Sequence, residues 1–195
     1  MKRTAVASML LIPYWLGLTV WIAAVGSAGV AAMAVFGTLA GDTMPLRLDD
    51  YAAYPEAEHA RILAGLVMDR VFAVIDRAQV VCAAVVLVTL ILQLVSRRGW
   101  VRRPISNSVR TIAIVAATVI VTVHTLAIAP PMNAELASFR TAAAAGDTVR
   151  AAEHRTAFNQ LHPIAEGLLR ADLALLLVAV TASAMALRPD TKDSP

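Results

Sequence analysis

The side chains able to bind, titrate or ligate fall along two stretches of this 195-residue sequence. In the later one Arg155, Asn159, His162 and Glu166 recur at spacings that put them on one helical face, and Arg170 and Asp172 follow. In the earlier one Glu58, Asp69 and Asp76 form a narrow helical stripe, and His59, Arg70 and Arg77 form a second about a quarter-turn away. An imidazole among carboxylates and guanidinium groups can exchange a proton, hold an ion or hydrogen-bond a polar solute. The same residues serve equally as structural ion pairs, with His162–Glu166 and Glu166–Arg170 as i,i+4 partners. A third set is softer. Met33, Cys82 and His124 each fall at a similar depth in an apolar run, and thioether, thiolate and imidazole together suit Cu(I). Read separately, Met and Cys are ordinary core residues and His124 bonds a carbonyl of its own helix.

The elements that hold these groups follow from composition. Hydrophobic residues make up 58% of the chain and charged residues 16%, against about 45–50% and about 25% in soluble domains. A water-soluble fold of this size would expose much of that apolar surface, so the chain is read as an integral membrane protein. The net charge of +3 implies no nucleic-acid partner, because the basic residues sit in short clusters beside apolar runs. One cysteine excludes an internal disulfide and any CxxC pair. Phosphate-binding loops, HExxH and GxSxG are missing as well.

Four stretches lack Asp, Glu, Lys and Arg: Thr4 to Gly41, Ala78 to Ser96, Thr111 to Ala134 and Leu173 to Leu187. A spanning helix needs about 20 apolar residues. The first stretch is far longer than a signal-peptide core, so it is a retained anchor, with Tyr14 and Trp15 expected at the interface. The fourth reaches only about 22 Å, so its span must recruit the preceding turn and draw Arg170 and Asp172 to the edge of the hydrocarbon or just inside it. Spans are expected at roughly 14–40, 72–96, 111–131 and 167–187, with outward loops at 41–71 and 132–166. The expected fold is all-α: a single integral domain over 1–195, a four-helix transmembrane bundle whose helices extend past the outer face.

Local signals refine this outline. Pro55 suits a helix start, and from Glu56 to Val95 nothing breaks a helix. Gly146 is a helix stop and Asp147 an N-cap, after which a helix from Thr148 runs into the fourth span, kinked by Pro163. Gly26 and Gly29, with Ala23, Ser27 and Ala31, offer small surfaces for core packing. The tripeptide Ala-Glu-His at 57–59 and 152–154 hints at two repeated hairpins, and His59 and His154 are expected to be solvated. Lys2, Arg3, Arg97, Arg98, Arg102, Arg103, Arg110, Arg188 and Lys192 share one side with only two acids, which sets both termini in the cytoplasm. An Arg-rich, Ala-rich composition fits a bacterial inner membrane.

Below Glu166 the polar face of the last helix continues as Leu169 and Leu173, which are expected to pack in the bundle. The polar residues above them are therefore expected to face neighbouring helices. This gives an outer-end cluster of Asp76, Arg77, Asn159, His162, Glu166, Arg170 and Asp172, with Asn133 capping the third span just after Pro130 and Pro131. Bis-histidine haem does not fit, since His162 lies well above His124.

The run Phe158-Asn-Gln-Leu-His162-Pro-Ile-Ala-Glu-Gly-Leu-Leu-Arg-Ala-Asp172, with Ala129-Pro-Pro-Met-Asn133, Phe72 and Asp76, resembles the four-span family of human transmembrane protein 205 and its bacterial relatives. Asp172 stands where that family usually has Asn, and Pro163 and Glu166 also depart from its pattern. The resemblance implies four spans and assigns no catalytic residue. The Trp-x-x-His-x-x-Arg pattern of anthrone-oxygenase-like proteins does not occur here. Expected functions are binding, sensing or helping to move a small solute or ion at the outer end. The alternatives are a membrane enzyme or redox subunit acting on a quinone-like substrate with His162 as acid or base, or a structural partner of the bilayer, of a second copy or of another membrane protein.

Overall fold

The computed structural model describes residues 9–39, 48–96 and 104–187. These are helical almost throughout, with no strand among the described residues. Helix α1 spans Leu11–Leu39. A short 3-10 turn, Asp49–Tyr51, leads to α2, Glu56–Ser96. Helix α3, Pro104–Val123, passes through a π-helical turn, His124–Ile128, into α4, Ala129–Ala144. Helix α5, Thr148–Leu187, is the last described element. Four of the resulting rods are long and apolar enough to cross a membrane. The protein is an all-α four-helix bundle.

The unbroken α2 follows from its composition, as expected from Pro55 onward. The turn between α4 and α5 also follows from its residues. Gly146 takes φ 75°, a left-handed conformation that suits glycine, and Asp147 Oδ1 accepts the Arg150 N–H at 3.1 Å as an N-cap. The third rod departs from expectation. Asn133 does not cap a helix ending near 131; it lies inside a rod that continues to Ala144. Pro130 and Pro131 lack the N–H groups that would close the preceding turn. The backbone meets them by widening into the π turn, where the Ala129 N–H reaches the His124 carbonyl.

The core runs down the middle of the bundle. Leu18 and Val25 of α1, Val86 and Leu90 of α2, Ile114, Ala117 and Val121 of α3, and Leu176 and Ala179 of α5 pack into one apolar column. Outward faces carry Val74, Val81, Ile112 and Leu126, all largely exposed, as lipid-facing helices require. Close approach of α1 to α2 occurs at Gly17, where an added Cβ would meet Val86 Cγ2 at 3.0 Å. Gly26 and Gly29, expected in the core, face open space instead.

Beyond the column the helix extensions are tied by polar contacts. Arg140 donates to Asp69 at 2.9 Å, Arg155 to Glu58 at 3.3 Å, and His154 Nδ1 lies 2.7 Å from Glu135. His59 is buried: its Nδ1 accepts the Leu48 N–H at 3.0 Å, and Nε2 faces the Tyr51 and Tyr54 carbonyls. Neither His59 nor His154 is simply solvated, and their different partners give the repeated tripeptide no common structural role.

Gly17→Val should overpack the α1–α2 contact at a cost of about 1–3 kcal/mol. Gly29→Val, which meets nothing, should leave stability close to wild type. Thermal unfolding of the two variants in detergent checks the pair.

Candidate functional site

Helix α5 decides which polar groups enter the bundle. Its buried line runs through Ala165, Asp172, Leu176, Ala179 and Ser183. Leu169 and Leu173, the guides used to orient the helix from sequence, flank that line and are only partly buried. Residues 155, 159, 162 and 166 therefore sit roughly 100° off the buried line, the rotation of a single residue. Asp172 alone among the expected polar residues of α5 points into the core.

The expected outer cluster is accordingly not assembled. His162 is exposed and stacks on Phe158 with ring centroids 5.2 Å apart. Glu166 and Arg170 pair with each other on the exposed face. Asn159, Arg77 and Asn133 are exposed. The soft-metal set is not brought together either. Met33 is 72% exposed, Cys82 is buried in the apolar column and His124 turns toward Asp76. Among the described residues no three His, Cys, Asp or Glu side chains form a metal-binding group.

Two other pairs do meet. Asp172 is 1% exposed, and the Trp21 indole Nε1–H donates to its Oδ2 at 3.0 Å across the bundle. Its Oδ1 is buried with no hydrogen-bond partner among the described residues. His124 is the first residue of the π turn. Its Nε2 is 3.5 Å from Asp76 Oδ1. The adjoining Thr125 hydroxyl is also buried and without a partner. The π turn packs against α5. A broad open depression along Thr148, Ala152, Thr156 and Gln160 lies apart from it, on the surface of α5 alone.

The opposite end of the bundle holds a second buried charge. Arg110, counted from sequence among the loop cations, is 1% exposed. Its guanidinium donates to Gln93 Oε1 at 3.3 Å and Asn107 Oδ1 at 2.8 Å and sits 5.4 Å from the Tyr14 ring centroid. No carboxylate pairs with it among the described residues. Tyr14, expected at the interface, is fully buried and shares a 2.7 Å hydrogen bond with Ser183. Sequence reasoning missed Trp21, Arg110 and Ser183. Two signals were available. Trp21 lies mid-span, away from the interfaces where Trp is enriched, and Pro104 as a helix start places Arg110 well inside α3.

Trp21→Phe removes the one hydrogen-bond donor that the described residues bring to a buried carboxyl group and should lower stability by roughly 1–3 kcal/mol. Trp21→Phe combined with Asp172→Leu removes both partners and should restore most of that loss. Thermal unfolding of single and double variants measures the difference.

No family model, no curated protein and no solved structure matches this chain.

Proposed function

We propose that this chain is a small multi-pass protein of the cell membrane that binds, senses or helps to move a small solute or ion, a cation foremost, at the outer end of its bundle. The observation that carries this reading is Asp172. A carboxyl group on the buried line of a membrane-spanning helix loses most of its hydration, which costs several kcal/mol if it is ionised. One indole N–H on Oδ2 returns part of that, and Oδ1 is left to accept from something else. Ionisable groups at such depth in membrane proteins mark ion and proton paths. Oxygen donors and an imidazole suit a hard cation or a proton better than a soft metal.

The charge distribution supports an orientation with both termini cytoplasmic, in a bacterial inner membrane. Even with Arg110 withdrawn into the bundle, the stretches flanking α1, α3 and α5 on that side remain rich in Lys and Arg. The Asp172 end then faces outward. The likeness to the family of transmembrane protein 205 belongs to this proposal and assigns no residue a role.

Binding at Asp172 should appear as cation- or pH-dependent stability. Thermal unfolding would be followed in sodium, potassium and N-methylglucamine chlorides at equal ionic strength, and between about pH 5 and 8. Wild type should shift by about 2–4 °C per kcal/mol of linkage, and Asp172→Asn should lose the shift. Identical responses from both proteins under every condition would remove Asp172 as the binding group.

A further inference from the structure

The end of the bundle opposite Asp172 draws a polar side chain from every rod. Tyr14 lies in the first turn of α1, Gln93 in the last turn of α2, and Asn107 and Arg110 in the first two turns of α3. Ser183 lies one turn before the end of α5 and shares a hydrogen bond with Tyr14. Arg110 sits among them, with Gln93, Asn107 and the face of the Tyr14 ring around its guanidinium. Its Nη2 donates to Asn107, three residues nearer the start of α3, so the side chain leans toward the rim.

That shell leaves the charge unanswered. Arg110 is 1% exposed, and its Nε–H is buried without a partner among the described residues. The bond to Gln93, at 3.3 Å, lies beyond the usual 2.7–3.2 Å of N–H···O bonds. Removing a guanidinium from water costs several kcal/mol, and neutral amides and an aromatic ring return only part of that. Helices α1 and α3 begin at this end while α2 and α5 finish there, so their dipoles oppose one another. The local field is therefore that of the guanidinium, and it calls for an anion.

We propose that Arg110 is a binding site for an anionic phosphate group, carried by a membrane phospholipid or free in solution. One phosphate oxygen accepts the Nε–H, and a second displaces Gln93, the longest contact on the fork, at Nη1. Phosphate suits the site because the planar guanidinium presents several N–H groups at once to its tetrahedral oxygens. The depth suits a headgroup as well: the guanidinium lies about one helical turn inside the start of α3. Basic pockets between spanning helices are known binding sites for phospholipid heads. Beside it, Ile105, Val109 and Ile112 of α3 and Val95 of α2 are exposed and offer apolar surface to acyl chains. This site is separate from Asp172 and does not rest on the reading given to it.

The test starts from the full chain in dodecyl maltoside and phosphate-free buffer. Thermal unfolding would be followed while adding phosphatidylglycerol, inorganic phosphate or diacylglycerol, the last bringing acyl chains without phosphate. Phosphatidylglycerol should raise the midpoint by about 5–10 °C at a hundredfold excess over its dissociation constant, and diacylglycerol should not. A matching shift with inorganic phosphate assigns the site to the free anion, and a shift with the lipid alone assigns it to the headgroup. Arg110→Met should lose the shift. Without phosphate it should unfold at or above the wild-type temperature, because a buried charge lacking a counter-ion has been removed. Arg110→Lys keeps the charge but not the fork and should bind phosphate more weakly by a factor on the order of ten, which keeps the test open if the Met variant does not fold. Shifts equal to wild type in either variant would overturn the site. So would a wild-type protein unmoved by both phosphate sources, or one that diacylglycerol stabilises as much as phosphatidylglycerol does.

Discussion

The bond from the Trp21 indole to Asp172 ties the first helix to the last across an otherwise apolar column. A carboxyl group in that position is tolerated only with a partner, because an unmatched polar group buried in an apolar setting costs more than most single contacts return. The bond therefore fixes register as well as energy. With Asp172 held at the level of Trp21, Ser183 lies eleven residues on at the level of Tyr14, and those two also bond. Sliding or rotating α5 by one residue would break both contacts and turn Asp172 toward lipid. The rotation of α5 that buries Asp172 is the same rotation that leaves Glu166, Arg170 and His162 outside.

The third rod is shaped by a related constraint. Two consecutive prolines within one rod would interrupt an α-helix, yet α4 continues to Ala144 and ties back through Arg140 and Glu135. The π turn absorbs the mismatch, and it does so where His124 turns toward Asp76. Wide turns of this kind recur at functional sites because they offset the facing of side chains from regular helical geometry. Here the imidazole of His124 stands 3.5 Å from Asp76.

Two buried charges thus lie at opposite ends of one column. Arg110 and His124 are fourteen residues apart on the same rod, or about 21 Å at helical rise. Leu18, Val86, Leu90, Ile114 and Leu176 fill the space between. The Arg110 end is held by neutral amides and an aromatic ring, with Nε left without a partner among the described residues, an arrangement open to a guanidinium because its charge is spread over a planar fork that can also stack. The Asp172 carboxyl group keeps its charge on two oxygens and has a single indole donor among the described residues, and the functional reading settles there.

Much of the architecture could be read from the residues in order. Apolar length gave four rods, the lack of breakers after Pro55 gave a 41-residue α2, and Gly146 with Asp147 gave the last turn. These are short-range effects, set by transfer free energy and local backbone geometry. The acidic stripe of Glu58, Asp69 and Asp76 was legible too, and all three acids are paired across helices or to a neighbouring Arg. The membership of the site was decided only by tertiary packing. A helix of forty residues presents many candidate faces, and one residue's rotation separates a buried carboxyl group from an exposed one. Sequence periodicity centred that face on Leu169 and Leu173, whereas the demand that Asp172 meet Trp21, 151 positions away, centred it elsewhere.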